Sequence, residues 1–413
     1  MQYRNFGKLD RKVSALGFGA MRFPTLSGEG RGGDIDEPEA LCMVRHAIDS
    51  GVNYVDTAYP YHDGRSEVVV GKALRDGYRE RVRLATKLPV WMVTEPADFD
   101  KFLNEQLKKL QTDHIDFYLL HALSKDRWRD IVLKHKLLER AEAALADGRI
   151  RHLGFSFHDD YAGFEEIVNG SELWSFCQIQ LNYMDAENQA GVRGLKLAAS
   201  KGLAVVVMEP LMGGRLADPP KDIRAAMEGF PVRRSPAAWA LNWLWDQPEV
   251  SVVLSGMSTM EQVEDNLGIA ASSRIGAFGE AERALIAQVQ EKYRARTAIP
   301  CTKCGYCMLC PNGVNIPGNF EFFNYARLFD DVAGARFKYQ VFLAETERSG
   351  SCTIAAFARS CVRRGSPSAS GCRRCRRCWR EGCGRPGFVR RQWGETVVAF
   401  RGGKLVRNMN LYS

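Results

Sequence analysis

A (β/α)₈ TIM barrel of the α/β class, followed by a small C-terminal helical appendage, is the fold that this chain of 413 residues predicts. Three observations lead there. Short apolar runs of strand character alternate with amphipathic, capped stretches eight times within roughly 255 residues, the number and length of such a barrel. No G-x-G-x-x-G follows the first strand, which removes the signature of a doubly wound dinucleotide fold. The alternation then ends ahead of a run of closely spaced cysteines that begins at Cys301.

Residues 1–14 read as a hairpin with its turn near Leu9-Asp10, and Leu16–Ala20 as the first barrel strand. Asp36 and Glu39 have capping-box spacing with Pro38 in the first turn, and Leu41, Val44 and Ile48 form the buried stripe of a helix closed by Gly51. Asn53–Ala58 is the second strand, and Pro60 forbids its continuation. Next come a helix over Ser66–Arg75, the strand Val82–Lys87, and a helix with Phe99, Phe102, Leu103, Leu107 and Leu110 on one face. The strand Ile115–His121, a longer loop and a helix through Leu137 to Ala146 complete the first half. Gly148 opens the fifth strand, Ile150–Phe157, and the last three strands are Phe176–Asn182, Ala204–Glu209 and Val250–Ser255. Helices over Asn188–Lys201 and Ser235–Asp246 separate them. Ser235-Pro236 supplies a cap and first turn, and Ser258 with Glu261 a capping box for the eighth helix.

Bulk properties narrow the function classes. The 45% hydrophobic content suits a globular protein, no run of about 18 apolar residues occurs, and the start MQYRNFGKLDRK lacks the apolar centre of a signal peptide. The expectation is a cytoplasmic protein with no membrane partner. Twelve cysteines without an export signal point to reduced thiols or metal ligands. The net charge of +8 belongs to the tail: residues 351–413 hold 14 Lys+Arg against 2 Asp+Glu, leaving the first 350 residues at −4. A nucleic-acid partner for the main body therefore has no electrostatic support.

Three successive strands end in Asp56, Lys87 and His121, and Tyr61 follows the first of them by five residues. In a parallel barrel the C-terminal ends of the strands share one face, so these side chains meet there without adjacency in sequence. A phenol near its ordinary pKa of ~10 is a poor proton donor at neutral pH unless a cation stabilises its phenolate, and Lys87 is a candidate cation. Singly, such residues are usually caps or solvated charges. Together, in the spellings DTAYPY, ATK and DFYLLH, they resemble the catalytic tetrad of the aldo-keto reductase family. The resemblance covers about residues 1–275. It implies hydride transfer between NADP(H) or NAD(H) and a small-molecule carbonyl, an aldehyde or ketone. Tyr61 would be the general acid, Lys87 with Asp56 would lower its pKa, and His121 would orient the carbonyl oxygen. A nucleotide-sensing regulatory barrel that binds a partner protein without turnover is the alternative, and the intact tetrad favours the enzyme.

The same likeness implies cofactor contacts. Ser156 matches the serine that holds the nicotinamide carboxamide, although Phe157-His158 replaces the asparagine that follows it in the family, and Gln178 matches a carboxamide-binding glutamine. Met208 stands where many members stack a tyrosine, offering a polarisable thioether instead. Gly213-Gly214 gives a loop whose N–H groups can approach a pyrophosphate, or else an ordinary turn. Gly256, Ser258, Gln262, Asp265 and Asn266 correspond to the adenosine end. Gly256 and Gln262 occupy positions where basic residues often read a 2′-phosphate, so weak discrimination between NADP and NAD is expected.

Cys301, Cys304, Cys307 and Cys310 recur every third residue, a spacing that lets one loop wrap an iron-sulfur cube, and Cys310-Pro311 repeats the ending of bacterial ferredoxin runs. The last gap is two residues rather than three, which leaves open whether Cys310 closes this cluster or serves another. Zinc is the alternative metal, but its sites more often split their ligands into two pairs across a longer loop. With GFSFH, QIQLNY, VMEPL and PCTKCGYC, the chain resembles the aldo-keto reductases that carry a C-terminal ferredoxin-like 4Fe-4S domain. The organisation implied is a barrel over 1–275, a helical 4Fe-4S region over 276–352 and a tail over 353–413, with a redox partner protein. Phe320, Phe322, Phe323, Tyr325, Leu328 and Phe329 would pack the helical region. The second Cys-x-x-Cys-x-x-Cys group expected from Cys352 is missing, and five arginines interleave Cys372, Cys375, Cys378 and Cys383. Without helix or strand period from Val362 to Arg391, the tail reads as a shifted reading frame or a disordered segment, with a basic metal- or nucleic-acid-binding tail as the rival. Thr396–Phe400 and Lys404–Val406 are a candidate terminal hairpin.

Overall fold

The computed structural model describes residues 1–27, 34–299, 301, 307, 308, 310, 312–351, 400–401 and 404–405. The chain divides into two compact units, Met1–Ala287 and Gln288–Ser413. In the first, β1 (Tyr3–Phe6) and β2 (Leu9–Ser14) form an antiparallel hairpin. Eight barrel strands follow: β3 (Leu16–Gly19), β4 (Tyr54–Asp56), β5 (Arg83–Leu88), β6 (Ile115–Leu123), β7 (Ile150–Phe157), β8 (Trp174–Gln180), β9 (Ala204–Met208) and β10 (Val250–Ser255). They pair in chain order, all parallel, and β10 closes on β3 with Val253 opposite Leu16 and Ser255 opposite Phe18. The eight-stranded barrel expected from the alternation is the architecture observed.

Strands covered on both faces read as continuous apolar runs, as Ala204–Val207 does. Their inward side chains, including Tyr54, Phe117, Phe176, Val206 and Val252, fill the barrel interior, and Phe6 and Val13 from the hairpin join that cluster. Outward side chains pack the helices in a second, larger core. Arg4, also from the hairpin and nearly buried, donates to the carbonyl oxygens of Gln247 and Val250 at 3.1 and 2.9 Å and to that of Trp245, tying β1 to the approach of β10.

Local signals were met where a side chain has one structural use. Asp36 accepts the Glu39 N–H, with proline in the first turn of the helix Glu37–Asp49, and Ser235 accepts the Ala238 N–H at the head of Pro236–Trp245. Four expectations change. The hairpin turns at Gly7-Lys8 rather than Leu9-Asp10, because Gly7 adopts φ +56°; a methyl group there would lie 2.6 Å from Gly202 O. Lys87 and His121 lie inside their strands, which run on to Leu88 and Leu123. The last barrel helix, Met260–Ser272, is capped by Thr259, while the Ser258 hydroxyl donates to Arg22 O at 2.9 Å. The eight-residue helix Lys221–Glu228 after β9 was not anticipated.

In the second unit, the helices Ile316–Phe329 and Val332–Phe342 pack together, the first capped by Asn315. Of the six aromatic and aliphatic residues expected to form its core, Tyr325 and Phe329 are buried, while Phe320, Phe322, Phe323 and Leu328 are half-buried. Phe400–Arg401 pairs antiparallel with Lys404–Leu405, a shorter version of the expected hairpin. Cys304, Cys352 and the four cysteines from Cys372 to Cys383 lie outside the described residues.

The Phe6 ring sits 4.4 Å from Phe117 and 5.6 Å from Phe176, centroid to centroid. Truncating a buried phenylalanine costs about 3–5 kcal/mol. Phe6→Ala should lower the urea midpoint by a corresponding amount; a change under about 1 kcal/mol would show that the hairpin does not support the barrel.

Candidate active site

At the C-terminal side of the barrel, β4 ends in Asp56 and β5 brings Lys87 beside it. Lys87 is fully buried and Asp56 almost so. The ammonium Nζ donates to Asp56 Oδ1 at 2.6 Å and to Thr57 O at 2.8 Å, and reaches the Tyr61 phenolic oxygen at 3.5 Å, so its three N–H groups face three acceptors. Burial acts to lower the Lys87 pKa, but Asp56 and then Tyr61 outweigh it and hold the lysine above its ordinary value, ionised.

The sequence expectation for Tyr61 changes in sign. Burial raises its pKa above 10.0, and Lys87 offsets only part of that rise. The reason is geometric, since the lysine's short contacts are with Asp56 and Thr57. Tyr61 is accordingly a protonated phenol at neutral pH.

His121 owes its orientation to an irregularity in β6. The pairing with β7 advances three residues from Leu120 to Leu123 against two from Phe155 to Phe157, a bulge in which Ala122 takes φ +54°. The Ala122 N–H donates to Ser156 Oγ at 2.7 Å, and the His121 ring stands nearly perpendicular to Tyr61, 6.1 Å between centroids. Burial, then the charges of Lys87, His158 and Arg127, pushes His121 well below 6.5. It is therefore a neutral imidazole at physiological pH, with its buried Nδ1 lacking a hydrogen-bond partner among the described residues.

Behind Lys87 lies a network that the sequence did not single out. Gln106 Nε2 donates to Lys87 O at 3.0 Å, to Thr86 Oγ1 at 3.2 Å and to Glu67 Oε1 at 2.6 Å, while Tyr118 donates to Gln106 Oε1 at 2.7 Å. Thr86 also donates to Glu67, and all four side chains are buried. These bonds fix the β5 backbone at the position that carries Lys87. Three of the four are polar residues on otherwise apolar faces, a weak signal in a single sequence.

The residues expected on the cofactor side divide into groups. Gln178 Nε2 lies 3.6 Å from Met208 Sδ, and its buried Oε1 has no hydrogen-bond partner among the described residues. Gly213 and Gly214 take φ +72° and +95°. A methyl group at Gly213 would stand 3.0 Å from Arg215 Nη1 and 3.3 Å from Arg22 Nη2, with Glu209 Oε2 at 3.8 Å; one at Gly256 would meet the Arg22 stem at 3.1 Å. Arg22 thus bridges the Gly213 and Gly256 loops, a cation that the strand pattern did not single out, although it follows β3 closely. Gln262 and Asp265 are exposed, and Asn266 turns inward to donate to Ser255 Oγ at 3.0 Å. Among the described residues no three His, Cys, Asp or Glu side chains are grouped to hold a metal ion; Cys301, Cys307 and Cys310 are half-buried. No described helix is long and apolar enough to cross a membrane.

The aldo/keto reductase family model matches residues 15–275. The chain belongs to the aldo/keto reductase family. It is similar to the uncharacterized oxidoreductase YrpG of Bacillus subtilis, 28% identical over 312 residues, covering 65% of this chain and 90% of that one. It is also similar to L-galactose dehydrogenase of Arabidopsis thaliana, 26% identical over 308 residues, with 68% and 90% covered. Among solved structures it is similar to the aldo-keto reductase AKR11C1 from Bacillus halodurans in its holo form, with a TM-score of 0.58, 27% identity, and 70% and 96% of the two chains covered. These findings make the protein an oxidoreductase of this family.

A buried ion pair that loses one member leaves an uncompensated charge, at about 3–5 kcal/mol. Lys87→Met should destabilise the protein by roughly that much, and Asp56→Asn added to it should restore most of the loss in a denaturant titration. Equal destabilisation by the single and double variants would show that the pair is not coupled.

Proposed function

We propose that the barrel reduces an aldehyde or ketone with hydride from NADPH or NADH, with Tyr61 as general acid. The observation that carries this is the contiguous set of Asp56, Lys87, Tyr61 and His121, in which a buried cation faces a protonated phenol beside a neutral imidazole. The nicotinamide, when bound, supplies the hydride. Tyr61 holds its proton until negative charge develops on the carbonyl oxygen, then delivers it there. Lys87 stabilises the phenolate that remains, buried Asp56 keeps the buried Lys87 charged, and neutral His121 orients the carbonyl oxygen through a hydrogen bond. No observation favours the regulatory alternative.

Gln178 and Ser156 would hold the nicotinamide carboxamide: the unpartnered Gln178 Oε1 fits an amide N–H, and Met208 lies against the same side chain. Gly213, with Arg22 and Arg215 beside it, and the open Gly214 fit a diphosphate. Gly256, Ser258, Gln262, Asp265 and Asn266 would border the adenosine, and neither Gly256 nor Gln262 offers charge to a 2′-phosphate. Discrimination between NADPH and NADH is therefore weak, within about tenfold or ~1.4 kcal/mol.

Tyr61→Phe should keep the dissociation constants of both dinucleotides and cut the chemical step by orders of magnitude. The acid works protonated, so reduction persists below the folded-state pKa of Tyr61 and declines only above it, beyond the ordinary tyrosine value; His121, neutral well below 6.5, adds no inflection near neutrality. Near-normal turnover in Tyr61→Phe would overturn the assignment, as would a thousandfold preference for NADPH the proposed adenosine end.

From their spacing, Cys301, Cys304, Cys307 and Cys310 are the candidate ligands of a 4Fe-4S cluster, with Cys310 or a downstream cysteine completing it. The hydride step draws nothing from it, since a two-electron transfer needs no one-electron carrier. Protein purified without oxygen should contain iron and sulfide in cluster stoichiometry, and a chelator should remove both. Recovery of zinc without sulfide would reject the cluster.

A further inference from the structure

The cations around the mouth of the site are not alike. Lys125 pairs with Asp160 at 2.8 Å and Arg129 with Glu166 at 2.6 Å, but among the described residues no carboxylate stands within 4.0 Å of the Arg127 side chain between them. Arg127 closes the short helical turn Lys125–Arg127 that follows β6, where its N–H donates to Ser124 Oγ at 3.2 Å. Its guanidinium is half-buried, and among the described residues one of its five N–H donors has an acceptor, Nη1 to Ala122 O at 2.6 Å. The plane lies over Trp91, 5.2 Å from the ring centroid, and that ring in turn is 5.0 Å from the His121 ring. Trp91 is 39% exposed, unusual for a tryptophan. The guanidinium charge acts on both His121 and His158, depressing each.

We propose that Arg127 and Trp91 form an anion-recognition subsite, and that the carbonyl substrate carries a carboxylate separated from its reacting carbon by a ring or a short chain. The inference rests on the proposed reductase function, because it places the carbonyl at Tyr61 and His121. From there, the Trp91 ring, 5.0 Å from His121, leads to the guanidinium 5.2 Å from its centroid. A substrate lying along Trp91 covers an exposed apolar surface and meets, at its far end, a planar cation with donors in the fork that a carboxylate accepts. A 2-oxo acid does not fit this spacing, since its carboxylate adjoins the carbonyl, whereas the Trp91 ring, 5.0 Å from His121 and 5.2 Å from the guanidinium, separates the two. The competing account is that Arg127 merely packs its stem on Trp91. That account gives no preference between an acid and its neutral isostere.

The test compares 4-carboxybenzaldehyde with 4-formylbenzamide, which has the same shape without the charge, using the full chain with each dinucleotide. Wild type should show a kcat/KM at least tenfold higher for the acid, and the ratio should fall toward one in Arg127→Met, with Arg127→Lys between. A wild-type ratio near one, or a ratio unchanged in Arg127→Met, would overturn the subsite. Absence of turnover with both aldehydes would count against the reductase function, and calorimetry then decides the subsite separately. There, 4-(hydroxymethyl)benzoate should bind wild type at least tenfold more tightly than its amide and lose that advantage in Arg127→Met. Equal binding of acid and amide, or no detectable binding of the acid, would overturn it.

Discussion

The buried contact between Lys87 and Asp56 is the constraint around which the catalytic face is arranged. An ammonium taken out of water is tolerable only with its donors satisfied and a counter-charge at hand, and here Asp56, Thr57 and Tyr61 provide the acceptors. Each acceptor depends on a different part of the chain: the end of β4, the residue after it, and the turn beyond Pro60. The lysine therefore organises the loop that presents the phenol. The charge that fixes the geometry is also the charge that the phenolate left by the proposed proton transfer would need, so structural and chemical demands would coincide at one atom.

Precision at that atom comes from the layer behind it. Gln106 reaches from the helix Asp98–Leu110 to the carbonyl of Lys87 and to Glu67 on the neighbouring helix Ser66–Ala73, linking two helices and a strand through buried polar groups. Such a network is costly when incomplete and rigid when satisfied. On the opposite side, the β6 bulge aims the His121 ring toward Tyr61 while Ser156 takes up the Ala122 N–H that the bulge exposes. One strand is stiffened, and its neighbour is bent, to bring two side chains onto a common point.

Much of this was legible in the sequence because barrel strands and caps are local codes. Ser235-Pro236 and Asp36-x-Pro-Glu name their own positions, and a strand-end residue in a parallel barrel has a known destination. What failed was what depends on contacts across the chain. The direction of the Tyr61 pKa shift is set by burial, which its flanking residues do not reveal. The hairpin turn was misread because Gly7 answers to Gly202, nearly two hundred residues away. Arg22 escaped notice for the same reason: it acts beside Gly213 and Gly256, on loops after two other strands.

The same division explains why the chemistry is easier to read than the substrate. Asp56, Lys87 and His121 sit on strands whose pairing is dictated by the barrel, whereas Trp91 and Arg127 sit in the connections after β5 and β6, which the barrel does not dictate. In the proposed reaction, residues fixed by the fold would serve what every carbonyl has in common, the oxygen that gains charge. Residues on the connections would face the part that differs between one carbonyl compound and another, and there the proposed subsite sets a cation without an ion pair among the described residues over an exposed indole. Burial, with Lys87, already holds His121 well below its ordinary value, and the Arg127 charge adds in the same direction, so the cation proposed to meet the substrate works with the neutral imidazole rather than against it.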